Sequence, residues 1–235
     1  MAHRGNRALC PENTLASFSQ AVRDGADILE TDVHLSADDE FICIHDGTVD
    51  RTTNGSGAIA ELTLKEIKAL RALDPAGQET QETIPTLAEV AAQLPPKVAL
   101  ALELKTDRFL EPEVCRRFAD ALRRSGIYAR SFALSFNLPR LQSLQREAED
   151  MPIGWISMSW LRPDRAVELI GPFWPIVYLN PGYVKQAHRR GMFVCPLDPK
   201  PEKRLGHYLK IGCDAVISDN PAVTRAALDR LMREE

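Results

Sequence analysis

Short runs rich in apolar and β-branched residues alternate along the chain with longer stretches of helical periodicity, and this alternation restricts the fold more than any other feature. The runs are Ile28 to Val33, Phe41 to Ile44, Val98 to Leu104, Ser131 to Ser135, Ile153 to Ser157, Ile176 to Leu179, Phe193 to Pro196 and Ala215 to Ser218. Strands joined through helices return in the same direction, so the expected class is α/β, with helices outside a parallel sheet. The helical stretches carry start and stop chemistry. Thr63 with Glu66, and Thr86 with Glu89, match the S/T-x-x-E capping box ahead of apolar-periodic runs. Asn13 or Thr14 can cap a helix with Leu15, Phe18, Ala21 and Val22 on one face, ending near Gly25. Pro112, Pro139, Pro163 and Pro221 suit the starts of later helices, where a missing backbone donor does no harm.

Alternation alone leaves a barrel and an open sheet as equals, and two of the strands separate them. Side chains alternate across a strand, so Glu30 and Asp32 in Ile28-Leu29-Glu30-Thr31-Asp32-Val33 share a face. In the run from Val98 to Lys105, Leu100, Leu102 and Leu104 point one way, toward helices. Ala99, Ala101, Glu103 and Lys105 point the other way. Small residues below and charged groups at the C-terminal end suit a packed barrel interior that opens at its top face.

The 235 residues fit one domain, 1–235, and no linker, charge run or shift in composition divides them. A hydrophobic fraction of 44% and a charged fraction of 26% suit a soluble globular chain. No stretch approaches the roughly 20 apolar residues that span a bilayer, so stable membrane insertion is not expected. The formal net charge of -4 with scattered Lys and Arg argues against nucleic acid as a partner. Met1 to Asn6 lacks the apolar core of a secretory signal. Cys10, Cys43, Cys115, Cys195 and Cys213 are odd in number and form no C-x-x-C pair, which disfavours a disulfide framework or a thiolate zinc site. Together these features point to a reducing cytoplasm, with Cys43 and Cys213 as small buried residues.

Three clusters carry chemistry: His3-Arg4-Gly5 with Pro11-Glu12-Asn13-Thr14, then Glu30-x-Asp32 with His45-Asp46, then Glu103-Leu104-Lys105. With Gly25 to Val33, Arg51 to Gly57, Ile84 to Val90 and Gly212 to Pro221, they match in order and spacing a family pattern. Its segments are H-R-G, P-E-N-T, G-A-D-x-x-E-x-D-V, H-D, R-T-T-x-G-x-G and I-P-T-L-x-E-V. The chain thus resembles the glycerophosphodiester phosphodiesterase family. That resemblance implies a (β/α)8 TIM barrel with a small insertion after the second strand, within Gly47 to Thr83. It also implies a small-molecule glycerophosphodiester substrate, and it assigns Glu30, Asp32 and Glu103 to a metal.

Elementary electrostatics reaches the same three residues. Carboxylates crowded on neighbouring strand ends cannot all stay ionised without a cation. Oxygen-only ligation, with positions open to water and a phosphate oxygen, suits one divalent cation, Mg2+ or Ca2+, better than zinc. Standing alone, an E-x-D pair on a strand reads as a surface ion pair. Glu103-x-Lys105 and the two histidines favour the site instead. Lys105 can neutralise phosphate charge, and Arg4 offers a planar fork for phosphate oxygens. Asn13 or the first turn of its helix can add donors.

His3 and His45 are the candidate acid and base, since imidazole reaches both protonation states near neutral pH. A lone histidine at a strand end is more often structural, but the H-R-G and H-D settings favour chemistry. His34, His188 and His207 lack such company and read as surface or supporting residues. Glu12 reads either as a site residue or as an acid favoured by a helix dipole. Asp46 either orients His45 or braces the next loop. The mechanism that the resemblance implies has one histidine deprotonating a water or the substrate's adjacent hydroxyl while the other protonates the departing alcohol. Attack by the internal hydroxyl would pass through a cyclic phosphate.

The chain departs from the family pattern twice. Met1-Ala2-His3 leaves the first barrel strand almost absent. Cys195-Pro196 stands where relatives carry a tryptophan beside the substrate's alcohol, so the seventh strand should end early and head-group preference should change. Trp155, Trp160 and Trp174 are either compensating walls or core. Two alternatives accompany the enzyme reading. One is a non-catalytic phosphodiester-binding barrel, which would not need both histidines. The other is a phospholipase D-like enzyme acting on lysophospholipids with release of cyclic phosphate; its secreted relatives carry disulfides and an apolar interfacial loop not evident here.

Overall fold

Leu100, Leu102 and Leu104 are all fully buried beneath the helices, while Ala101 and Glu103 face the barrel axis, as strand alternation requires. The strand that carries them is one element of a computed structural model describing residues 1–158, 162–163 and 167–234. In chain order the elements begin with α1 (Leu15–Arg23), β1 (Ile28–Leu35), β2 (Phe41–Cys43), α2 (Leu64–Ala69), α3 (Leu87–Gln93), β3 (Ala99–Leu104) and α4 (Pro112–Arg124). There follow β4 (Ser131–Ser135), α5 (Leu138–Glu147), β5 (Ile153–Ser157), β6 (Leu169–Pro172), α6 (Trp174–Leu179), α7 (Gly182–His188), β7 (Phe193–Val194), α8 (Leu205–Ile211) and α9 (Pro221–Glu234).

The sheet order is β2-β1-β3-β4-β5-β6-β7, with every pairing parallel except that of β2 with β1. Backbone bonds continue the ladder beyond β7. Asp214 N–H donates to Val194 O (3.0 Å), Ser218 N–H to Met1 O (2.9 Å) and His3 N–H to Ser218 O (2.9 Å). Ala2 N–H then donates to Ile28 O (2.8 Å) and Glu30 N–H to Ala2 O (2.9 Å). Residues 214–218 and 1–3 therefore lead from β7 back to β1, and the architecture is that of a (β/α)8 TIM barrel. The first strand, expected to be almost absent, amounts to Ala2, which is fully buried and bridges both Leu29 and Ser218.

Three strand expectations are corrected. Ile176 to Leu179 lies in α6, where Pro175 occupies the first turn and Ile176 and Val177 turn inward. The barrel position it was expected to fill belongs to Leu169–Pro172, whose Gly171 and Pro172 hide it from a strand pattern. Phe41–Cys43 is antiparallel to β1 and lies outside the ring, because a short turn from Ser36 to Glu40 folds it directly back. Residues 215–218 contribute a bridge and flanking bonds rather than a regular strand. β7 stops at Val194, as Pro196 demands.

The helix signals hold where they can be compared. Thr14, Thr63 and Thr86 are the N-caps of α1, α2 and α3, each closing a reciprocal box with Ser17, Glu66 and Glu89. Pro112 and Pro221 begin α4 and α9, and Pro139 lies in the first turn of α5. The helix expected near Pro163 would run over residues 164–166, which, like Trp160 with its expected wall, lie outside those described. Between β2 and α3 the chain leaves the ring and gathers its own small core of Ile42, Ile44, Val49, Ile59, Ile67 and Ile84. Opposite, Phe118 meets Phe41 and Phe109 edge-on at 5.4 and 5.2 Å, tying α4 to β2. All five cysteines are free. Among the described residues, no helix is long and apolar enough to cross a membrane.

Candidate active site

The parallel register of β1 and β3 sets Asp32 beside Glu103 and Glu30 beside Ala101. Neighbouring strands lie roughly 5 Å apart, so acids in register on one face must crowd. Carboxylate oxygens of Glu30, Asp32 and Glu103 all lie within 4.8 Å of one another, and all three residues are buried. Burial drives Glu30 well above the ordinary carboxylate range, and repulsion from Asp32 and Glu103 adds to it. Burial, then Asp32, raises Glu103 to about 7. Burial acts against Asp32 as well, but Arg4, Lys105, His45 and the Asn13 amide outweigh it and hold Asp32 low.

The cluster suits a hard cation. Its donors are all oxygens, and Asp32 Oδ1 is buried without a hydrogen-bond partner among the described residues. Lys105 Nζ stands 3.0 Å from Glu103 Oε1 and 3.4 Å from Asp32 Oδ1. The fixed positive charges close to the acids are thus Lys105 and Arg4.

Arg4 belongs to a tight turn that the following glycine makes possible. Arg4 and Gly5 have φ of 56° and 77°. A Cβ on Gly5 would sit 2.4 Å from Ser17 Oγ, so only glycine lets the H-R-G turn seat against α1. In that turn the Arg4 N–H donates to Glu30 Oε2 (2.9 Å), and Arg4 Nε lies 3.2 Å from Asp32 Oδ2. Asn13, expected as a donor to the anion, is committed elsewhere. Its Nδ2 donates to Asp32 Oδ2 (2.8 Å) and its Oδ1 accepts from Thr31 Oγ1 (2.8 Å), while Thr14 takes the N-cap.

His3 and His45 line one cavity of about 340 Å³ at the C-terminal rim, together with Arg4, Glu30 and Glu103. Each ring has a carboxylate on Nδ1: Asp219 Oδ1 at 2.6 Å for His3 and Asp46 Oδ1 at 2.5 Å for His45. Nε2 is therefore the nitrogen that each ring keeps for other partners. Burial lowers His45 below the ordinary histidine value. Asp46 also accepts from Arg51 Nε (2.6 Å), and that bond holds its carboxyl low. Both readings of Asp46 thus describe the same side chain, since it bonds His45 and braces the loop that carries Arg51.

The far wall of the cavity is apolar: Leu134, Phe136, Ile156, Phe173, Trp174 and Pro196. Trp174 holds a wall position, with the Arg204 guanidinium stacked 4.1 Å from its ring. Trp155 lies in an adjoining open pocket with Lys105 and Arg140, its Nε1 donating to Phe136 O at 3.1 Å. His34 backs the site, its Nε2 3.1 Å from His45 O. His188 pairs with Asp214, and His207 packs on Tyr178, both away from the cluster.

Glu12 is drawn into the site rather than serving the helix. Arg4 Nη1 and Arg51 Nη2 reach its Oε1 at 3.0 and 2.7 Å, and Arg7 Nη2 reaches Oε2 at 2.9 Å. Residue-by-residue reasoning missed Asp219, Arg7 and Arg51. Asp219 lies inside the matched S-D-N-P segment and Arg51 opens R-T-T-x-G, so a motif signal existed for both. Arg7 had none.

Residues 3–223 match the model of the Glycerophosphoryl diester phosphodiesterase family. A glycerophosphodiester phosphodiesterase of Caldanaerobacter subterraneus is 33% identical over 231 residues, spanning 94% of this chain and 93% of that protein. The solved structure of an Oleispira antarctica phosphodiesterase in complex with the product sn-glycerol-3-phosphate superposes with a TM-score of 0.84. Its identity is 29%, covering 97% of this chain and 95% of that one. A glycerophosphodiester phosphodiesterase structure from Agrobacterium tumefaciens also gives a TM-score of 0.84, at 26% identity over 96% of this chain and 97% of that one. With its acids, histidines and H-R-G turn gathered at one barrel rim and this match over nearly its whole length, the chain belongs to the glycerophosphoryl diester phosphodiesterase family.

Proposed function

We propose that this protein hydrolyses glycerophosphodiesters to glycerol 3-phosphate and an alcohol, using a divalent cation and the His3–His45 pair. The observation that carries the reading is a cluster of three acids, two of which, Glu30 and Glu103, line the same rim cavity as the two carboxylate-oriented imidazoles. Glu30, Asp32 and Glu103 would hold Mg2+ or Ca2+, and the ion, when bound, supplies Lewis-acid polarisation of a phosphoryl oxygen. Arg4 and Lys105 neutralise the phosphate and fix its orientation. One histidine accepts a proton at Nε2 from the nucleophile, a water or the substrate's neighbouring hydroxyl. The other delivers a proton from Nε2 to the departing alkoxide. The apolar wall from Leu134 to Trp174 limits water around the reacting phosphoryl group.

The unit of function in this reading is the single barrel domain 1–235, with residues 47–83 as an insertion beside the rim. A reducing, cytoplasmic setting suits its free cysteines.

Release of glycerol 3-phosphate from glycerophosphocholine and glycerophosphoethanolamine, with lysophosphatidylcholine alongside, tests the proposal. Turnover on the two glycerophosphodiesters is expected, falling about 10²- to 10⁴-fold in His3→Ala and in His45→Ala. Full turnover in both variants would remove the acid–base pair, and cyclic phosphate from lysophosphatidylcholine alone would replace the substrate class.

A further inference from the structure

We infer that Glu12 is a positioning residue that locks both histidines at once, through an alternating relay of carboxylates and guanidinium groups. The inference rests on His3 and His45 being the acid and base proposed above. From one end, His3 Nδ1 lies 2.6 Å from Asp219 Oδ1, and Arg7 Nη1 stands 3.9 Å from that same oxygen. The other edge of Arg7 reaches Glu12 Oε2 at 2.9 Å. From the other end, His45 Nδ1 lies 2.5 Å from Asp46 Oδ1, and Arg51 Nε donates to Asp46 Oδ2 at 2.6 Å. Arg51 then turns its Nη2 to Glu12 Oε1 at 2.7 Å. The order is His3, Asp219, Arg7, Glu12, Arg51, Asp46, His45, with charge alternating at every step between the rings.

Glu12 is the one side chain among the described residues at which the two branches meet, and it also holds the Arg4 guanidinium at 3.0 Å. Its side chain is 9% exposed, so the carboxylate end of its pairs with Arg4, Arg7 and Arg51 is shielded from water, whereas Arg51 itself is open to solvent. The competing account, an acid stabilising a helix dipole, does not fit. The helix α1 begins at Leu15 with Thr14 as its cap and Ser17 closing the box, and no acid lies in its first turn. Glu12 stands ahead of that cap, with both oxygens spent on arginines.

The parts come from segments far apart in the chain: 3–12, 45–51 and 219. Loss of Asp46 or Asp219 should free one ring. Loss of Glu12 should loosen both, because Arg7 and Arg51 would each lose an anchor while keeping a carboxylate to drag. A ring displaced by about 1 Å from proton-transfer geometry loses up to about 10²-fold in rate without losing substrate affinity.

The test uses the full chain with Mg2+ and glycerophosphocholine. Glu12→Gln and Arg51→Met are assayed for kcat and KM, and the ring nitrogens of His3 and His45 are followed by long-range 1H–15N spectra. Assignments come from His3→Ala and His45→Ala. Arg51 is 46% exposed, so its replacement keeps the question open should Glu12→Gln fail to fold. Expected is a loss of about 10- to 100-fold in kcat and movement of both ring signals in each variant, with KM within about two-fold in Arg51→Met, which leaves the Glu12–Arg4 pair in place. In the Glu12→Gln background, Arg51→Met should cost less than it does in the wild type. Unchanged kcat in folded Glu12→Gln, or Arg51→Met moving the His45 ring alone, overturns the relay. Retained turnover in the histidine alanine variants would instead strike the acid–base reading, while the ring signals still report the coupling.

Discussion

Exchanging Glu103 for glutamine preserves the shape of the side chain and an acceptor for Lys105 Nζ, 3.0 Å away, while removing the ionisable group. Glu103 is 8% exposed, and burial followed by repulsion from Asp32 raises its carboxyl from 4.5 to about 7. A folded-state value above the unfolded one means the folded chain binds the proton more tightly. The resulting stability is complete below the unfolded value and is lost as pH rises through the folded one. At roughly 1.4 kcal/mol per pH unit, the interval from 4.5 to about 7 corresponds to about 3 kcal/mol. Glu30, raised by burial and partly by Glu103, contributes with the same sign. His34 and His45, lowered by burial, act oppositely, gaining stability as pH rises, but they are common to both proteins and cancel in the comparison. Urea unfolding in chelator, at about pH 4 and about pH 8, should therefore show wild type losing about 3 kcal/mol relative to Glu103→Gln as the pH is raised. Saturating Mg2+ or Ca2+ at about pH 8 should then favour the wild type, which keeps all three acids. A wild-type minus variant difference that is flat across pH, or rises with it, would refute the crowding of these carboxylates.

Three further outcomes follow from the packing. Gly5→Ala places a methyl 2.4 Å from Ser17 Oγ at a φ of 77°, and it should lower unfolding free energy by about 2–4 kcal/mol and reduce kcat by displacing the Arg4 amide from Glu30. Equal stability and turnover would contradict the close approach of the H-R-G turn to α1. Phe118→Ala, which empties the junction with Phe41 and Phe109, should cost about 3–5 kcal/mol in urea unfolding while KM stays unchanged. Burial pushes the Cys43 and Cys195 thiols up to about 12 and about 11, so iodoacetamide at about pH 8 should label them only after unfolding; rapid labelling of the native protein would contradict their burial.

Whatever rested on strict local geometry was legible in the sequence. Period-two alternation brought Glu30, Asp32 and Glu103 to one face, and capping boxes marked α2 and α3. Segments whose composition suits two conformations were not legible. Ile176 to Leu179 is β-branched and apolar enough for a strand, yet it lies within the six-residue helix Trp174–Leu179, whose first turn holds a proline. Leu169–Pro172 carries two strand-weak residues and becomes a strand because β5 and β7 offer it a ladder on both sides. The site was readable where its residues lie on a motif. The contacts of His3 with Asp219, 216 positions away, and of Glu12 with Arg51 arise only when the ring closes. Tertiary closure, rather than propensity, decides those partnerships.

The central claim, that Glu30, Asp32 and Glu103 hold a divalent ion used in cleaving a glycerophosphodiester, meets its most direct test in an add-back titration. Glycerol 3-phosphate release from glycerophosphocholine is followed as Mg2+ or Ca2+ is returned to chelated wild-type protein and to Asp32→Asn. The wild type should be silent in chelator and recover to saturation, while Asp32→Asn stays at least about 100-fold lower at the same ion concentration. Undiminished turnover in chelator, or full recovery by Asp32→Asn, would contradict it.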